Sequence, residues 1–330
     1  MRRKAIDVAF IAPDFSAGFV RTDEQILTRH FNVRRVLWKG KRSIFALALA
    51  VLRSDIAFSW FALDHAYGAC RLARILGKKS VVVVGGVDAA NRPDLAYGAF
   101  IDPVLARRVR YTVAHSDRVL VVGESLRGEL VANSGVDRPE IVTINLGFDT
   151  ERFTPGSSTG RNVLTVGIID AANLRRKALD VFVEVARRMP DMPFVLVGAR
   201  DNETTRQLRE TAPANLRVLG RLTDEQLLDQ YRGAKVYVQI SRFEAFGAAL
   251  GEAMACGCIP VGTQVGGIAT LIDGAGFFAP VGNVDRTVDA IRTATVRGNP
   301  AIPRARIENE FSLARREAAL TGIIQNVVEG

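Results

Sequence analysis

Hydrophobic positions along this chain fall into short solid runs, separated by longer stretches in which they recur every three or four residues. In the first half the solid runs are 5–11, 32–37, 55–59, 80–84, 118–122 and 140–143. Their Val and Ile content, without polar alternation, predicts parallel strands covered on both faces. The periodic stretches 22–30, 43–53, 64–76, 103–115 and 124–133 predict the helices between them. Such alternation predicts a parallel sheet with right-handed crossovers. Residues 152–160 then concentrate Pro, Gly, Ser and Thr, the clearest linker in the chain. Beyond it the pattern restarts, with strands 163–166, 194–197, 216–219, 236–240 and 259–261. Helices are predicted over 178–189, 202–211, 224–233, 247–255 and 267–271, the third announced by a Thr223-x-x-Gln226 capping box. The tail 285–328 is mostly helical and broken near Asn299-Pro300. The expected fold is α/β, with two doubly wound Rossmann-like domains facing across a cleft. Their expected limits are 1–152 and 153–305, with 306–330 crossing back onto the first.

Length and composition agree with this picture. At 330 residues and 48% hydrophobic, the chain has material for two cores and is no disulfide mini-protein, fibre or disordered tail. Its net charge of +9 is uneven: residues 1–152 carry 23 Lys and Arg against 16 Asp and Glu, the rest 21 against 19. A basic front half favours an anionic partner, or is merely a soluble basic surface. Cys70, Cys256 and Cys258 lack the spacing of a zinc site and read as reduced thiols of a cytoplasmic protein. The opening residues read as a first strand rather than a signal peptide. The longest apolar stretch, 43–52, is about half of a membrane span. Preceded by Lys39, Lys41 and Arg42, it is either a core helix or a peripheral membrane contact. No nucleic-acid-binding motif is evident.

The segment from Ser241 to Gly257 carries the most chemistry. A strand ends before Ser241, a turn carries Glu244, and a helix opens near Gly247. The first amides of such a helix are unpaired and sit at its positive end, which suits an anion. Gly247, Ala248 and Ala249 let a phosphate approach closely. Glu252 lies about 7 Å further along the axis, near the reach from a phosphate to ribose hydroxyls. The plainer reading is a surface Glu244 and a Glu252 that caps a neighbouring loop.

Glu244-x₇-Glu252 followed by Ala-Met-Ala-Cys-Gly resembles the motif of family 4 (group 1) retaining glycosyltransferases of the GT-B fold. The resemblance covers nearly the whole chain. It includes Ser116–Val122, Asn145–Asp149, Val166-Gly167, Lys177–Asp180, Val265-Gly266-Gly267 and Phe311-Ser312. It implies transfer of a sugar from a UDP-, GDP- or ADP-linked donor, with no metal and no other cofactor. The implied acceptor is a glycan, a lipid phosphate or a small molecule. Lys177 would hold the diphosphate and stabilise the leaving group, and Glu244 would touch the transferred sugar. Gly18, Gly167, Arg176, Gly220, Arg221, Phe246, Gly247, Ala248, Leu250 and Glu252 would line the donor.

Three positions depart from the family pattern. Gly85 stands where many relatives carry a histidine, Ile168 where they carry arginine, and Thr270 where a glutamate is common. Arg175 or Arg176 would then supply the missing cation. Gly85, Gly86 and Asp88 are candidates for the acceptor or sugar side, with Asp88 either facing the cleft or capping the next turn. A protein that binds nucleotide sugars without turnover is the alternative, and a sugar epimerase a weaker one.

Overall fold

The computed structural model describes residues 5–156 and 160–330, so residues 1–4 and the middle of the predicted linker, 157–159, lie outside the described residues. Contacts divide the chain into two units, Met1–Gly147 with Ala314–Gly330, and Phe148–Leu313.

The first unit holds six parallel strands: β1 (Asp7–Ala12), β2 (Asn32–Leu37), β3 (Ile56–Trp60), β4 (Lys79–Val84), β5 (Arg118–Val121) and β6 (Ile141–Thr143). Their order is β2-β1-β3-β4-β5-β6. Strand β1 lies between β2 and β3, pairing Val8 with both Val33 and Ile56. The inner strands are buried apart from the first residues of β1, β4 and β5, while edge strand β2 exposes Arg34 and Arg35. Covered faces explain the solid apolar runs, and a solvated edge explains the arginines.

Helix Pro103–His115 starts where Asp102 accepts the amides of Val104 and Leu105. The first helix spans Gly18–His30 and so opens four residues earlier than the periodicity suggests. Gly18, expected in the preceding loop, is its first residue. Helix Ile44–Leu52 packs Leu47, Ala50 and Val51 into the core. Its other face leaves Phe45 88%, Leu52 56% and Ile44 50% exposed. Trp60 is core, and Trp38 packs partly buried against that core.

The final helix, Leu313–Glu329, belongs to the first unit from Ala314 onward. Its Arg316 is 3% exposed and binds Asp23, itself fully buried, through two hydrogen bonds of 2.6 Å. The same guanidinium donates to the carbonyls of Ile144 and Asn145. Trp60 Nε1 donates to the second Asp23 oxygen at 2.9 Å.

The second unit holds β7 (Asn162–Val166), β8 (Phe194–Val197), β9 (Leu216–Leu219), β10 (Ala234–Gln239), β11 (Ile259–Gly262) and β12 (Phe277–Phe278). All are parallel, in the order β12-β11-β10-β7-β8-β9. The Thr223–Gln226 capping box opens helix Asp224–Gly233 as its sequence predicts. Two elements escape the sequence pattern: β12, only two residues long, and the helix Ala171–Arg176, which buries no residue. The tail forms helices Val284–Arg297 and Ala301–Glu310 before the last one. Among the described residues no helix is long and apolar enough to cross a membrane.

Candidate active site

In an open parallel sheet a crevice forms outside the carboxyl ends of two neighbouring strands whose connections run in opposite directions. In the second unit those strands are β7 and β10. Gly167 follows β7, and the loop bearing Glu244 follows β10, so topology alone brings them together.

Three local features set Lys177 in that crevice. Asp170 caps the short helix Ala171–Arg176, whose end delivers Lys177. Ala178 turns the chain with a φ of +52° before helix Leu179–Arg188 begins. Gly167 leaves room for the lysine stem, since a Cβ there would lie 2.7 Å from Lys177 Cδ. The ammonium reaches Glu244 Oε2 at 3.1 Å, with the two side chains 17% and 14% exposed. Gln239 Nε2 donates to the same carboxylate oxygen at 3.0 Å and to Ser241 Oγ at 2.9 Å. Burial alone would raise the Glu244 carboxyl. The charges of Lys177 and Arg176, with the hydrogen bonds, outweigh it and hold the carboxyl below its ordinary value.

Arg176 is laced to the same loop. Its carbonyl accepts the Arg242 amide at 2.8 Å, and its guanidinium donates to Asn173 Oδ1 at 2.7 Å and to the Phe243 carbonyl. The adjacent cations Arg176 and Lys177 therefore both bear on Glu244. Ile168, where a family arginine is expected, is 41% exposed and offers no charge.

The glycine pair after β11 supports the loop from beneath. A Cβ on Gly266 would stand 2.0 Å from the Glu244 carbonyl oxygen, and one on Gly267 would stand 2.2 Å from Phe246 Cα. Gly247 then takes a φ of +102° and opens helix Ala248–Ala255, with no side-chain cap on its amides. Phe246 and Leu250 are buried, the Phe246 ring against those of Phe148 and Phe311. Glu252, on this helix, accepts the Tyr231 hydroxyl at 2.7 Å. Burial, then the nearby Glu252, pushes the Tyr231 phenol well above its usual range. Gly220 and the exposed Arg221 follow β9.

Sequence reasoning missed Gln239 and Tyr231. A glutamine following the apolar run Val236–Val238 was the available signal for the first; nothing local marked the second. Among the described residues, no group of three His, Cys, Asp or Glu is placed to hold a metal ion.

In the first unit, Gly85, Gly86 and Asp88 follow β4. The Asp88 carboxylate is fully buried and accepts the amides of Ala62, Gly85 and Gly86 at 2.8, 3.0 and 2.9 Å. Those bonds make it a brace between two loops rather than a group facing outward.

Two family models match the chain: Glycosyltransferase Family 4 over residues 1–152 and Glycosyl transferases group 1 over residues 160–295. This chain belongs to the group 1 glycosyltransferases, and its two Rossmann-like units have the GT-B architecture. A D-inositol 3-phosphate glycosyltransferase of Mycobacteroides abscessus is 28% identical over 245 residues, covering 67% of this chain and 54% of that protein. A phosphatidylinositol N-acetylglucosaminyltransferase component of Arabidopsis thaliana is 26% identical over 171 residues, covering 50% of this chain and 38% of its own. The chain spans about half the length of the curated relatives it matches. The crystal structure of Anabaena HepE in complex with UDP superposes with a TM-score of 0.79 at 13% identity, covering 97% of this chain and 100% of that one.

Proposed function

We propose that the protein transfers a sugar, with retention of configuration, from a nucleotide diphosphate donor to an acceptor that carries phosphate. The observation that carries this reading is the 3.1 Å pair between Lys177, at the end of helix Ala171–Arg176, and Glu244, in the loop that opens the uncapped helix Ala248–Ala255. The donor diphosphate takes the charge of Lys177 and Arg176 and the amides of that helix; Glu252 faces the ribose and Glu244 the transferred sugar. As the bond from the anomeric carbon to the diphosphate oxygen breaks, its electron pair goes to the diphosphate, where these cations stabilise it. The acceptor hydroxyl attacks from the same face and gives its proton to the departing phosphate oxygen. Two cations and the helix amides supply the charge that a metal would otherwise bring. The loop of Gly220 and Arg221 would receive the base, and Gly18 the phosphates.

Relatives named for inositol 3-phosphate and phosphatidylinositol favour a phosphorylated cyclitol or its lipid as acceptor, and the UDP-bound neighbour favours a UDP-sugar donor. The exposed apolar face of helix Ile44–Leu52, preceded by Lys39, Lys41 and Arg42, fits peripheral contact with an anionic membrane on the cytoplasmic side.

A screen of UDP-, GDP- and ADP-sugars for thermal stabilisation identifies the donor, because a ligand of the native state raises Tm. Transfer and donor hydrolysis are then measured in Lys177→Ala and Glu244→Ala, without added metal. Both activities are expected to collapse; full activity in both variants overturns the assigned roles. Nucleotide binding with no turnover on any acceptor would instead support the non-catalytic reading, which Gly85 and Ile168 favour.

A further inference from the structure

The first unit has its own crevice, outside the carboxyl ends of β1 and β3, whose connections run in opposite directions. The residues that rim it are aromatic. Helix Gly18–His30, following β1, brings Phe19, and β3 ends in Trp60 followed by Phe61. Phe19 lies 4.9 Å from the Trp60 ring and 6.3 Å, edge-on, from that of Phe61. Trp60 is buried, whereas Phe19 and Phe61 remain half-buried.

Phe61 has a φ of +67°, a left-handed conformation that a bulky side chain seldom adopts. Such backbone persists only where the surroundings over-determine it. Here they do, on both sides of the residue. Its amide donates to the Val83 carbonyl at 2.8 Å, and the next amide, of Ala62, donates to buried Asp88. On the other side, His65 Nε2 bonds the Trp60 carbonyl at 2.6 Å. The ring thus held occupies the space beside Gly85: a Cβ there would lie 2.6 Å from Phe61 Cε1 and 3.1 Å from the Trp60 ring. Gly85 and the strained Phe61 are two halves of one arrangement, which leaves an aromatic face at the sheet edge where open α/β sheets bind ligands.

We propose that Phe61, flanked by Phe19, is the stacking platform for a six-membered ring polyol, a pyranose or cyclitol, and that Asp88 is the positioning residue that holds it. The C–H face of such a ring is apolar, while its hydroxyl rim stays free for polar contacts, which suits a bare aromatic surface. Identifying this ring as the acceptor rests on the transferase reading above; the binding itself does not.

The test is calorimetric titration with glucose, myo-inositol and their monophosphates in the presence of UDP, with transfer kinetics alongside. Phe61→Leu keeps the bulk and removes the aromatic face. It should weaken ring-polyol binding and raise the acceptor KM about tenfold, leaving UDP affinity and donor KM unchanged. Phe61→Tyr should restore both. Gly85→Ala, which displaces the ring, should match Phe61→Leu. If Asp88 acts through Phe61, Asp88→Asn should raise the acceptor KM without changing the donor KM, and the double variant should be no worse than Phe61→Leu alone. Unchanged polyol affinity in Phe61→Leu, additive Asp88→Asn and Phe61→Leu effects, or no polyol binding by the wild type would each overturn the proposal. Donor hydrolysis by the wild type judges the transferase reading separately.

Discussion

The two units follow the same topological rule and answer it with opposite chemistry. In the second, the crevice between β7 and β10 holds Lys177, Arg176 and Glu244, each tied to its neighbours by charge-assisted hydrogen bonds. In the first, the crevice between β1 and β3 is rimmed by Phe19 and Phe61, and the nearby Asp88 carboxylate is turned inward onto backbone amides. A charged ligand would meet charges set beforehand and held in place by their mutual pairing. The apolar face of a ring calls for a surface instead, which Phe61, held at a strained φ, would present. Glycines serve both ends: Gly267 lets a loop approach, and Gly85 makes room for a ring.

The contrast is open to attack at several points. The largest expected effect lies in the first unit. Asp23→Ala would leave Arg316 buried without its carboxylate and should lower stability by about 3–5 kcal/mol in denaturant titration. Unchanged stability would mean that the pair is not needed to hold the last helix. Next, Lys177→Ala should slow transfer by about 10²–10³-fold, since it removes charge stabilisation from the leaving diphosphate. Its Glu244 carboxyl should titrate higher than in the wild type, as burial is then opposed only by Arg176 and the remaining hydrogen bonds. Tyr231→Phe, which strips Glu252 of a donor, should cost about 1–2 kcal/mol of stability and weaken UDP binding, read by calorimetry.

Acid acts on the two units with the same sign but in different ranges. His65 is held below its ordinary value of 6.5, chiefly by burial. Once pH falls below 6.5 the unfolded chain therefore binds the proton first, and stability declines. A His65→Gln variant should lack that component. Glu244 is held below its ordinary 4.5, so its contribution is whole above 4.5 and is lost as pH falls through its lowered value. Stability followed against pH in Glu244→Gln should lack this second decline. The smallest effect concerns the thiols. Burial pushes Cys256 up to about 12 and Cys258 well above its ordinary value, so neither should react with an alkylating reagent at neutral pH in the native state.

The strands were readable because parallel strands buried on both faces leave solid apolar runs, and the Thr223–Gln226 box marked its helix start directly. Helix Ala171–Arg176 was not readable, because it buries nothing and so carries no periodic pattern. On the ionic side of the comparison, Glu244 and Glu252 were legible from their spacing with small residues, and Lys177 only from the family resemblance. Gln239 and Tyr231 reach the site only through tertiary packing. On the aromatic side Gly85 was noticed as an oddity, but its partner could not be, since a positive φ at Phe61 leaves no trace in residue type. Asp88 was noticed for its place at the end of a strand; only its three amide bonds reveal what it does.

The pair between Asp23 and Arg316 spans 293 positions. During synthesis, Asp23 leaves the ribosome long before the residue that neutralises it exists. The second unit, Phe148–Leu313, is made in full during that interval and contains its own sheet. The first unit must wait with an uncompensated carboxylate beside Trp60. The first unit can therefore complete its core only after the second has been made. A premature stop between Leu313 and Arg316 would leave the second unit whole and the first without its last helix, a substrate for chaperones and proteases.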